Sequence, residues 1–129
     1  MTTLQQADAE AAAVAVAPRV TLADIEAAIA NRYDFTGADA VDAIAAAGAM
    51  SWGTLDHDRL PKDRTPDPLS RLSICILVMR NGFTIIGKSA PASAENFNAE
   101  LGRKFAYEDA VRQIWPLMGF ALREKLAAA

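Results

Sequence analysis

The stretch RLSICILVMRNGFTIIGKSA, residues 71–90, decides how this chain folds. Ile74, Ile76 and Val78 alternate with Cys75, Leu77 and Met79, so a strand over 72–79 has two apolar faces. Such a strand needs cover on both sides, from helices or from a partner subunit. Asn81-Gly82 is the pair favoured in a type I′ hairpin turn, so residues 83–90 are expected to return antiparallel. Gly87-Lys88-Ser89 looks at first like the end of a phosphate loop. That motif needs Gly-rich backbone and then Gly-Lys-Ser/Thr opening a helix directly. Here no glycine stands at the required spacing and Pro91 follows before any helix. Gly87 is therefore read as a bulge or a close-packing position in the returning strand.

Downstream, Ser93 is the N-cap candidate for a long helix over 94–115. Glu100–Lys104 and Glu108–Arg112 are i,i+4 pairs in the favourable orientation. Pro116 lacks a backbone donor and is expected to kink or split the helix near Trp115, with a short final helix after it. Upstream, Thr21 and Asp24 form a weak capping box opening a helix that carries Leu22, Ile25 and Ile29 on one face. A second short helix follows, ending at Gly48. The fold class expected is α+β: a short antiparallel sheet built on the 72–79/83–90 hairpin, packed by the long helix, with two helices before it. Residues 1–19, rich in alanine, read as a flexible arm, partly helical at most. Residues 20–129 read as one domain, with 49–70 as a Pro-rich, charged loop insertion.

The 129 residues carry a formal net charge of −3, and 52% of them are hydrophobic. That is enough apolar material for one core, with no basic excess of the kind that marks nucleic-acid binding. No run approaches the roughly 18 apolar residues of a spanning helix, and the single cysteine, Cys75, fits a reducing cytoplasm. Asp56-His57-Asp58 is poor metal-ligand geometry, because adjacent carboxylates point apart. One His and one Cys, with no supported catalytic spacing, argue against an enzyme. No metal or cofactor is expected.

At about 100° per residue, Phe97, Leu101, Phe105 and Trp115 share one stripe of the long helix and are expected in the core. Asn96, Glu100, Arg103 and Tyr107 fall on another arc. An amide, a carboxylate, a guanidinium and a phenol in line suit either a solvated face or a polar ligand, and spacing alone leaves both open. Ser89 and Ser93 lie beside the expected start of the helix, where free N–H groups favour an anion.

Residues 70–127 resemble a family of small phage and prophage proteins, the gene-49/gene-66 family. The likeness rests on Asn81-Gly82-Phe83-Thr84, Gly87, Ser89-Ala90, Ser93, Glu95-Asn96-Phe97, Gly102-Arg103-Lys104, Ala106, Ala110, Ile114-Trp115-Pro116-Leu117, Gly119 and Leu122. Lys88, Pro91 and Asn98 depart from its usual residues. The same region is similar to phage anti-defence proteins that sequester the cyclic ADP-ribose-type signal of Thoeris immunity between protomers and release it unchanged. That resemblance implies a non-enzymatic homo-oligomer in the host cytoplasm. Arg103 and Lys104 would meet phosphates, Phe83 or Phe97 would stack a base, and Asn96 would read a base edge or ribose. Ser89 and Ser93 would add donors, and Tyr107 would complete the polar arc. The alternative is a phage accessory protein that binds a host protein and no small molecule.

Overall fold

A computed structural model describes residues 3–48 and 67–129. Asp56-His57-Asp58 and most of the 49–70 insertion lie outside the described residues. The elements run α1 (Leu4–Val14), α2 (Leu22–Ala28), β1 (Ile29–Thr36), α3 (Gly37–Ala46), β2 (Ser73–Met79), β3 (Thr84–Ser89) and α4 (Ala99–Ala128). Short 3₁₀ turns at Asp67–Arg71 and Ala94–Asn96 precede β2 and α4. The sheet is antiparallel in the order β1-β2-β3, so the fold is α+β as the hairpin implied.

The hairpin is in register, with Cys75 opposite Gly87 and Leu77 opposite Ile85. Its turn differs from the expected type I′, which needs positive φ at both central residues. Only Gly82 has positive φ, at 88°. The Gly82 N–H donates to the Met79 carbonyl at 2.9 Å and the Met79 N–H to Phe83 at 2.8 Å. That is a three-residue loop closed by a left-handed glycine. The Asn81 side chain is engaged locally, accepting from the Phe83 N–H at 3.0 Å.

The strand β1 is an addition to the sequence expectation, which placed Ile29 on the helix of Thr21. The capping box of Thr21 and Asp24 is present, but α2 ends at Ala28. From Ile29 the backbone extends and pairs with β2, through an irregularity at Ala30. Tyr33 and Phe35 alternate with Arg32, Asp34 and Thr36, a period of two that suits a strand. A second capping box, Thr36 with Asp39, then opens α3, and Gly48 follows its end at φ 70°.

Packing on α4 also departs from expectation. The helix begins at Ala99, capped by the Asn98 side chain accepting from the Leu101 N–H, and not at Ser93. It runs unbroken through Pro116 to Ala128. Pro116 and Arg112 are both exposed, so the carbonyl deprived of its donor lies where solvent reaches it. The buried face is Ala106, Ala110, Val111 and Ile114, joined by Cys75, Leu77, Met79 and Ile85 from the sheet and Leu22 and Ile25 from α2. Phe97 and Trp115 are only half-buried, and Leu101 and Phe105 are 46% and 45% exposed. Small residues win the contact because the helix lies almost on the strand backbone. A Cβ on Gly87 would stand 2.6 Å from the Ala110 nitrogen and closer still to the Ala106 carbonyl oxygen. Gly87 is thus a close-packing position. Neither Glu100–Lys104 nor Glu108–Arg112 forms an ion pair.

Residues 4–14 of the expected flexible arm form α1. Its single large apolar anchor, Leu4, is buried, and Thr3 and Gln6 make a capping box. Asp8 ties α1 to α2: it pairs with Arg19 at 2.9 Å and accepts from the Leu22 N–H at 3.1 Å. These bonds, the Arg19 one foremost, hold the Asp8 carboxyl below the usual carboxylate range. A carboxyl with a lowered folded-state pKa contributes stability above its unfolded value, about 3.9, that is lost as pH falls through the folded value. Acidification below about pH 4 should therefore loosen α1 before the sheet. Movement of the Leu4 methyl resonances ahead of those of Leu77 is the expected observation, and simultaneous movement would refute it.

Candidate functional site

The register places Arg32 opposite Leu77 and Asp34 opposite Cys75. Leu77 and Cys75 point under α4, so Arg32 and Asp34 share that face. Lying on the edge strand, they reach the flank of the helix. The Arg32 guanidinium sits 4.2 Å from the centre of the Tyr107 ring, a cation–π stack. It also grips Asp34 with two nitrogens, at 2.8 and 3.3 Å. Arg103 is one helical turn from Tyr107 and Lys104 is the next residue. Both are exposed, and neither has an ion-pair partner among the described residues. The result is a polar corner between β1 and the first turns of α4.

Two titratable groups lie beneath it. Burial, with the Asp34 carboxylate beside it, pushes the Cys75 thiol up to about 11. Burial also raises the Tyr107 phenol, helped by the Glu26 carboxylate and opposed by Arg32. Both therefore stay protonated near neutral pH, and the thiolate needed for nucleophilic attack is scarce. The corner offers two unpaired cations, a stacked guanidinium and a phenol O–H. Among the described residues no group of three or more His, Cys, Asp and Glu side chains is placed to hold a metal, and no helix is long and apolar enough to cross a membrane.

The residues singled out from sequence separate into three places. Arg103, Lys104 and Tyr107 belong to the corner. Ser89 ends β3 opposite Ser73, and Phe97 folds back near Gly102, whose added Cβ would lie 3.7 Å from its ring. Ser93 and Asn96 belong to the 3₁₀ turn before α4, where Ser93 makes no side-chain cap bond. Asn96 is therefore off the helix, and the expected arc of Asn96, Glu100, Arg103 and Tyr107 is broken at its first member. Phe83 is at the opposite end of β3, about 20 Å away at roughly 3.3 Å per residue. It lines an apolar cleft of about 480 Å³ with Ile85, Ile114 and Leu117. Arg32 and Asp34 were absent from the sequence candidates, and the period of two through Arg32–Thr36 was the signal that would have found them.

The family comparison reaches further toward the N-terminus than the resemblance in residues 70–127, and so takes in β1. No curated protein matches the chain significantly, and no solved structure does. The model of the family described as Phage protein (N4 Gp49/phage Sf6 gene 66) matches residues 20–126, which include β1, β2, β3 and all of the corner, and the chain belongs to that family.

Proposed function

We propose that this phage protein is a non-enzymatic accessory factor that acts by binding, and that its polar corner sequesters an anionic, nucleotide-derived immune signal of the cyclic ADP-ribose type within a homo-oligomer in the host cytoplasm. The observation that carries the reading is the exposure of Arg103 and Lys104, without an ion-pair partner among the described residues, beside the Arg32–Tyr107 stack in a chain of net charge −3. Guanidinium groups bind phosphate through paired N–H donors, and a phenol or phenyl ring beside them suits a base or ribose. A protonated thiol and phenol fit holding a ligand unchanged better than transforming it.

Calorimetry against cyclic ADP-ribose isomers tests this. Arg103→Ala removes a charge-assisted contact worth about 1.5–3 kcal/mol, a tenfold to hundredfold loss of affinity. Lys104→Ala costs less, because an ammonium lacks the planar fork. An absence of heat from the wild type with every isomer would reject the ligand reading. A second reading, binding of a host protein without a small ligand, draws on the apolar cleft that Phe83, 54% exposed, lines with Leu117 and Met118. Heating the purified protein separates the two: intact nucleotide released from the first, none from the second.

A further inference from the structure

We propose that the sheet face turned away from α4 is where two copies of this chain meet, stacked sheet on sheet. This deepens the homo-oligomer part of the reading above and is independent of its ligand part.

A sheet with one face in water normally places polar residues there. In this one the cross-strand row at the middle of that face is Tyr33, Ile76 and Ile86. Tyr33 and Ile86 are 54% and 60% exposed. Phe35, Ile74 and Val78 extend the apolar surface on either side, and the only charge among the outward strand positions is Lys88, at the rim. The surface is on the order of 500–600 Å² per copy, from strands about 4.8 Å apart and about 20 Å long, widened by their side chains. Doubled, it approaches the low end of the roughly 1,200–2,000 Å² buried in stable interfaces, a size at which weak or transient association is usual.

The occupant follows from the shape and charge of that face and from the edge beside it. The face carries a single charge among its strand positions, at its rim, and its central row is flanked by Phe35 and Ile74 on one side and by Val78, between Asn31 and Thr84, on the other, so it matches a surface like itself better than a charged one. Two such faces pack about 10 Å apart with interdigitating side chains. The β3 edge is closed to a new strand. The outward Ile86 carbonyl accepts from Gln113 Nε2 at 2.7 Å, and the Lys88 N–H donates to Asp109 Oδ2 at 3.0 Å. Association through the face leaves those bonds intact, whereas strand addition at β3 would break them.

Sedimentation of the full chain across the micromolar range provides the test. The wild type should self-associate, and Ile86→Lys should raise the dissociation constant roughly tenfold or more, with an unchanged thermal melt at concentrations where both are monomeric, since that side chain is exposed in the monomer. Phe120→Lys on α4 is the control and should leave association unaltered. A wild type that stays monomeric overturns both this interface and the oligomer reading. An oligomer that Phe120→Lys dissociates and Ile86→Lys does not would overturn this interface alone and place the contact on α4.

Discussion

Gly87→Ala is expected to lose about 3 kcal/mol of stability or more, the largest effect of a methyl added at any described glycine. Gly87 pairs with Cys75 and faces α4 at the point where helix and strand come closest. An added Cβ would lie 2.6 Å from the Ala110 nitrogen and 2.8 Å from the Ala110 Cβ, with the Ala106 carbonyl oxygen nearer still. Two of those three obstacles are backbone atoms, so no rotamer change relieves them. The helix must lift, and lifting it uncovers Leu77, Val111 and Ile114 together. Against a total stability of roughly 5–15 kcal/mol, that loss is severe. Urea unfolding should show a lower midpoint with a similar slope. Gly119→Ala is the contrast. Its Cβ would meet nothing within 4 Å, and it lies inside α4. Replacing a helical glycine there should add up to about 1 kcal/mol. Equal effects at the two positions would mean that α4 does not rest on Gly87.

Leu77→Ala should cost about 2–5 kcal/mol, because it opens a cavity at the centre of the middle strand. Leu77 is fully buried, between Arg32 on β1 and Ile85 on β3, beneath α4. The neighbours that line the hole are held by backbone pairing on both sides and cannot collapse into it freely. Ile86→Ala, one strand over on the opposite face, should change monomer stability by less than about 1 kcal/mol, since that side chain is mostly in water already. The paired measurement locates the core on the α4 side of the sheet. A loss at Ile86 as large as that at Leu77 would mean that the outer face is also core.

Features whose physics spans three or four residues were legible in the chain itself. Asn81-Gly82 marked the reversal, and its flanking apolar runs determined an antiparallel pair. Thr21 with Asp24 closed a capping box at the start of α2. Gly87 stood out as either a bulge or a close-packing position, and the approach of α4 decides for the second. The two apolar faces of β2 were also visible, and they remain the strongest sequence-level argument for a partner. The finer conformation of the turn was not legible: Asn-Gly suits two loop geometries, and the Met79–Phe83 hydrogen bond selects the longer one.

Tertiary structure decided the rest, because the competing local states are close in energy. Ala28-Ile29-Ala30 contains no glycine or proline to end a helix, and the strand state of β1 is settled by partners far along the chain, with Ile29 opposite Met79 and Tyr33 opposite Ile76. That pairing also turned Arg32 and Asp34 toward Tyr107, which is why the candidate corner was only half visible beforehand. On α4 hydrophobicity pointed to Phe97, Leu101, Phe105 and Trp115 as core. The close approach to Gly87 reserved the contact for Ala106 and Ala110 instead and left Leu101 and Phe105 nearly half exposed. Sequence alone determined the chain reversal at Asn81-Gly82, the Thr21–Asp24 cap and the two-faced strand, since those depend on neighbours in the chain, whereas the cap of α4 fell to Asn98 and not to Ser93. Which residues fill the core and which reach the corner depended on how far apart a helix and a strand come to rest, a distance that no local interaction sets.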